Sequence, residues 1–234
     1  MNNISIQKII CIQKIIRGYN VRKRFLPLIL YKIQFYLQSI SFHFSKTNED
    51  GRVNSSIDED NVIHHLVHRF SHFIKKPPLR NWYDIAVYDY YYGWIPVNIK
   101  TTTTNTCDNS GNLAICVQAY TDYECQMDQK YDNGPMSQIL VHKLKTKEYN
   151  KKLKKDYYFL VLNKNNPSEV IINSIKGLTE INPNINNLPF QIRWDKNKNF
   201  VHKPIQENIN QFVYAIQKPN PSWKEYFLSH MRRL

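Results

Sequence analysis

The chain is 234 residues long, 42% hydrophobic and 13% aromatic, which supports one medium domain with an appendage and excludes a disordered chain or two full-sized domains. Lys and Arg outnumber Asp and Glu by 32 to 19, giving a net charge of +13 and a pI near 9.5. Such a field draws phosphates, so nucleic acid stands first among partners and an anionic membrane second. Cys11, Cys107, Cys116 and Cys125 form no CxxC pair and no zinc spacing, and the first residues lack an apolar secretory core. An intracellular protein, in cytoplasm or nucleus and not secreted, is expected. Phe25 to Phe44 is apolar, but Lys32, Gln34, Gln38 and His43 interrupt it, which favours a packed or amphipathic helix over an integral membrane segment.

In chain order, residues 1–46 read as a basic helical arm divided near Pro27, and residues 47–57 as a polar linker. The domain proper is expected over 58–234. Ser56 with Glu59 three residues on has the capping-box pattern, and Ile63, Leu66, Val67, Phe70, Phe73 and Ile74 continue at helical spacing, predicting a helix over 58–76 stopped by Pro77 and Pro78. His64, His65, His68 and His72 on that helix have HxxxH spacing without the carboxylate of a zinc motif, so no zinc site is assigned. Runs 83–90 and 94–102 predict an antiparallel hairpin, and Leu113 to Tyr120 a third strand. Gly134 and Pro135 introduce a helix whose basic end, Lys151, Lys152, Lys154 and Lys155, suits phosphate contacts or a solvated face. Strands follow at 157–163, 169–175 and 190–194, with helices over about 205–216 and from Trp223. Arg193 is a further candidate for nucleic-acid contact, Gln118 for orienting a phosphate, and Trp194 for the core. The order helix, three strands, helix, strand describes an α/β sandwich: one mixed sheet with helices on it.

A hairpin centred on residues 91–93 sets Asp84 beside Asn98 and Lys100, which share a face because they are two apart on one strand. A carboxylate beside an ammonium can be a plain cross-strand ion pair. It is also what phosphodiester hydrolysis requires: a carboxylate for magnesium and a lysine to steer or deprotonate water. Trp82-Tyr83-Asp84-Ile85 followed by Pro96-Val97-Asn98-Ile99-Lys100 resembles the signature of the PD-(D/E)xK restriction-endonuclease-like superfamily over residues 58–175. That resemblance implies an αβββαβ core with a mixed sheet flanked by helices. It implies Mg2+ held by Asp84 and the Ile99 carbonyl, catalytic roles for Asp84, Lys100 and Asn98, and Glu59 as a helix-borne acid. Two positions depart from the pattern: Tyr83 stands for a proline and Asn98 for the second acid, so either metal affinity falls or another acid compensates, with Asp108 and Glu59 as candidates.

In the arm, Ile12-Gln13, Arg17-Gly18, Arg22 and Phe25 resemble an IQ motif of the calmodulin-binding type. Ile12 and Phe25 would fill apolar grooves, Gly18 would allow close approach, and Arg17 and Arg22 would pair with acidic lobes. The same composition would also serve a helix that clamps DNA or lies on a membrane. The expected function is a metal-dependent DNA endonuclease of restriction-enzyme type. The alternative is an inactive nucleic-acid-binding adaptor whose IQ helix recruits a calmodulin-like protein, and a third reading is a peripheral membrane protein held by the arm. A homodimer is expected by analogy with palindromic cutting.

Overall fold

The computed structural model describes residues 26–40, 42–45, 51–109, 112–152, 154–184, 189–216 and 229–230. The IQ-motif residues Ile12, Gln13, Arg17, Gly18, Arg22 and Phe25, and the helix expected from Trp223, lie outside them. The elements are α1 (Leu28–Gln38), α2 (Gly51–Arg69), β1 (Ile74–Lys75), β2 (Ile85–Asp89), β3 (Gly93–Thr102), β4 (Cys107–Asn109), α3 (Leu113–Tyr120), α4 (Asn133–Lys145), β5 (Tyr158–Asn163), β6 (Asn166–Ser174), β7 (Asn182–Pro183), β8 (Phe190–Arg193) and α5 (Ile205–Ile216).

The main sheet has the order β1-β2-β3-β5-β6. Its neighbours are antiparallel except β3 and β5, which run parallel with Val97 opposite Tyr158 and Lys100 opposite Val161. A parallel pair needs a long crossover, and the chain makes it through β4, α3 and α4. The second sheet, β4-β8-β7, is small. β5 is an uninterrupted apolar run buried at every position, as a central strand covered on both faces must be. On one face, Val97, Ile99, Leu160 and Ile172 pack with Leu30, Ile33, Leu37, Val62 and Leu66 of α1 and α2. On the other, Ala86, Phe159 and Val161 pack with α3, α4 and α5, through residues such as Val117, Leu140 and Phe212, and with Trp194 after β8.

Several expectations are corrected here. The segment 113–120 is a helix, not a strand. All eight of its residues are buried, so no polar face marks a helical period, and its β-branched and aromatic content imitates a strand. Asn112 starts it by accepting the Ala114 amide at 3.0 Å. The helix expected over 58–76 begins within the supposed linker, at Gly51, and ends at Arg69, because burial of Ile74 against β2 turns residues 74–75 into an edge strand. Ser56 therefore lies mid-helix and caps nothing. The second half of the supposed arm is domain core: Leu30, Ile33 and Leu37 are fully buried, and Gln34 Nε2 donates to Val170 O at 2.6 Å. The α4 helix stops at Lys145, leaving Lys151, Lys152, Lys154 and Lys155 beyond it. The hairpin, β5, β6, β8 and α5 lie where the sequence placed them, within a few residues.

Candidate functional site

The hairpin strands have unequal length, and that mismatch makes the site. β2 begins opposite Val97, while β3 continues to Thr102, so on that side β3 has no strand partner beyond Val97 among the described residues. Its inward amides still need acceptors. Ile99 N donates to Asp84 Oδ2 at 2.8 Å, and Thr101 N donates to Glu59 Oε1 at 3.3 Å. Two carboxylates thus replace the missing strand, anchored on residues two apart and hence about 7 Å from each other along β3. Ser55 completes the substitution, its Oγ donating to Thr101 O at 3.2 Å while its own carbonyl accepts from Thr101 Oγ1 at 3.2 Å.

Lys100 lies between these anchors, its ammonium 3.6 Å from Glu59 Oε1. Past β3, a Thr-rich turn folds back with Thr104 at φ 65°, a strained setting for a β-branched residue. It brings Asp108 over the strand end, where Asp108 Oδ1 accepts from Thr102 Oγ1 at 3.2 Å. Lys164, in the turn after β5, pairs with the buried Asp58 of α2 at 2.8 Å. Glu59, Lys100, Thr102, Asp108 and Lys164 with Ser55 line an open cavity of about 520 Å³. Asp84 lies deeper, outside that lining, and acts on it through charge.

Burial raises the pKa of all three carboxyls. Glu59 is lifted to about 7 by desolvation, opposed by Lys100 and reinforced by Asp84 and Asp108. Desolvation also raises Asp84 against Lys100 and the Ile99 amide, and raises Asp108 against the Thr102 hydroxyl and Lys100. Three acids drawn together out of water would each gain from a cation beyond Lys100. Asn98 is buried two residues before Lys100 on the same strand face, and its Oδ1 has no hydrogen-bond partner among the described residues. Among the described residues, no His, Cys, Asp and Glu side chains gather in a group of three or more that could hold a metal unaided. A hard cation here would need water and substrate oxygens as well, which is usual for magnesium.

The structure therefore gathers Asp84, Asn98, Ile99, Lys100, Glu59 and Asp108 at one strand edge. Lys164 and Ser55 were not legible, since a turn lysine and a mid-helix serine carry no motif. The basic run is not gathered with them: it precedes β5, at the opposite end from Lys164. Lys151, Lys152 and Lys154 are exposed, with Lys152 3.5 Å from Glu124 and Lys154 4.0 Å from the Tyr91 ring centre. Lys155 is no phosphate ligand. It is buried, its ammonium donates to the carbonyls of Thr121 and Tyr123, and desolvation lowers its pKa to about 8. Arg193 is engaged by Asp195 through Nε at 3.1 Å and Nη2 at 2.6 Å. Gln118 is buried and accepts the Cys125 amide at 3.0 Å, so it orients no phosphate. His64, His65, His68 and His72 are exposed.

The chain is thus a mixed α/β protein whose main sheet carries helices on both faces, with an acid and lysine cluster at the edge of β3. It also carries an IQ calmodulin-binding motif: the model of that motif matches residues 6–26. No curated protein matches the chain. Among the described residues no helix is long and apolar enough to cross a membrane.

Proposed function

We propose that the chain is a magnesium-dependent DNA endonuclease related to the PD-(D/E)xK enzymes, with its site at the free edge of β3. The observation that carries this reading is the pair of carboxylates, Asp84 and Glu59, seated on the Ile99 and Thr101 amides, with the ammonium of the intervening Lys100 3.6 Å from Glu59. The topology is compatible with it: α2, an antiparallel β1-β2-β3 meander and a crossover through β4, α3 and α4 to β5 parallel to β3 follow the αβββαβ core that the resemblance implies, with β1 in place of the strand expected over 113–120. Asp84 and the Ile99 carbonyl would hold the ion together with water and substrate oxygens, and Glu59 or Asp108 would add the charge that Asn98 lacks. The partnerless oxygen of Asn98 is the neutral donor standing where the family has an acid. Magnesium, when bound, would polarise the scissile phosphate and lower the pKa of attacking water. The Lys100 ammonium would orient that water by donating to it, and Lys164, paired with Asp58, lines the same cavity.

The test is cleavage of plasmid and linear DNA by the purified chain with magnesium, with EDTA, and in the Asp84→Ala and Lys100→Ala variants. Cutting that needs magnesium and is lost in both variants is the expected result. Intact DNA with every divalent metal, while DNA is still bound, would leave a nucleic-acid-binding adaptor. A second reading has its own observation, the motif match at residues 6–26: this segment recruits a calmodulin-like protein. The two are compatible, because the motif and the β3 edge are separate parts of the chain.

A further inference from the structure

The IQ motif ends where a surface groove that is open among the described residues begins. Leu26, the last residue matched, is buried in the wall of a groove of about 1020 Å³ between the start of α1, the α2–β1 turn and the β2–β3 turn. The groove is lined mainly by carbon, with Leu26, Tyr31, Phe73, Tyr88 and Tyr90 among its walls. Beside it, α1 buries Ile29, Leu30, Ile33 and Leu37 but turns a second apolar stripe outward: Leu28 is 62% exposed and Phe35, seven residues on, 76%. Tyr90 at the groove's far lip is 83% exposed. A soluble domain rarely leaves so many large apolar side chains contiguous and uncovered.

The charges around this surface say what covers it. Lys32, Arg69 and His72 line the groove, and Arg69 lies 5.9 Å from the ring centres of Tyr36 and Phe70. Among the described residues the one acid in the lining is Asp89, whose oxygens accept the amides of Ile29, Tyr91 and Tyr92. A cationic rim around an apolar floor suits an acidic protein with apolar side chains to insert. A partner gripping the chain as far as Leu26 is within about one helical turn, 5.4 Å, of Leu28.

We infer that the calmodulin-like protein recruited by residues 6–26 docks continuously onto the folded domain, its acidic surface over the Lys32, Arg69 and His72 rim and its apolar groove on Leu28 and Phe35. This rests on the IQ reading and extends it from a linear motif to a composite surface. The partner would thereby fix the direction in which it leaves the domain.

Calorimetric titration of the full chain with calmodulin, with and without calcium, tests it against three variants: Ile12→Ala with Arg17→Ala in the motif, Leu28→Ser with Phe35→Ser on the stripe, and Lys32→Glu with Arg69→Glu on the rim. All the domain substitutions are at exposed positions, and thermal melting confirms that each variant folds. The expected result is about tenfold weaker binding or more for the stripe variant and a comparable, salt-dependent loss for the rim variant. Stripe and rim variants that bind as the parent does, while the motif variant does not, would overturn the inference and leave the IQ reading standing. Failure of the parent chain to bind would remove both. Self-association of the parent, abolished by the stripe substitutions without effect on calmodulin, would assign the surface to a second copy and overturn the inference.

Discussion

Glu59 offers the sharpest physical test of the β3 edge. Its carboxyl ordinarily titrates near 4.5 and is lifted to about 7 in the folded chain. Below pH 4.5 the group is protonated in both states and contributes no pH dependence. Between pH 4.5 and 7 the unfolded chain gives up this proton first while the folded chain keeps it, so stability falls as pH rises, and above pH 7 the loss is complete. At about 1.4 kcal/mol per pH unit over that interval the loss is about 3 kcal/mol. Urea unfolding at pH 5 and at pH 8, with EDTA present, measures it in the parent and in Glu59→Gln. The amide keeps an oxygen for the Thr101 N–H but has no proton to lose. The variant should be less pH-dependent than the parent by about 2.5 kcal/mol between the two conditions, since the window opens half a unit above the ordinary carboxyl value. Identical pH profiles for parent and variant would refute the account of Glu59 as a carboxyl held out of water beside other acids.

Asp89 should matter to stability well beyond its size, since it is buried and accepts from Ile29 N at 3.2 Å, Tyr91 N at 2.8 Å and Tyr92 N at 3.1 Å. Asp89→Ala leaves those amides without their acceptor and should cost about 2–4 kcal/mol, a drop of roughly 5–15 °C in melting temperature. Asp89→Asn, which retains one oxygen, should recover part of it, and an alanine variant melting within about 2 °C of the parent would contradict the tie between α1 and the hairpin turn. Gly177 is set by close approach: an added Cβ would overlap the Phe200 ring and crowd Asn173 Oδ1. Gly177→Ala should destabilise by about 1–3 kcal/mol in chemical unfolding, and a second substitution, Phe200→Leu, should relieve part of that; no loss in the single variant would argue that Phe200 is free to move.

The sequence alone carried those parts of the protein that local patterning encodes. The Tyr-rich turn between two β-branched runs specified the hairpin, and with it the register that sets Asp84 against Asn98 and Lys100. The apolar run of β5 announced a strand, and the anchors from Ile12 to Phe25 marked the IQ motif. Where burial is complete, patterning is silent. The helix 113–120 shows no polar face and so reads as a strand, and only its packing between the sheet, α4 and α5 decides otherwise. Charge was misread for a related reason: Lys155 looks like one more solvated lysine until the carbonyls of Thr121 and Tyr123 are seen to enclose it. Glu59 shows the limit most clearly. Its spacing from Ser56 fits a local cap, but β2 stops short and leaves the Thr101 amide bare, and a bare amide at a strand edge recruits a carboxylate from a helix 42 residues away in sequence. Local periodicity can place an acid on a helix face. Which amide it must satisfy depends on where another strand ends, and tertiary structure alone decides that.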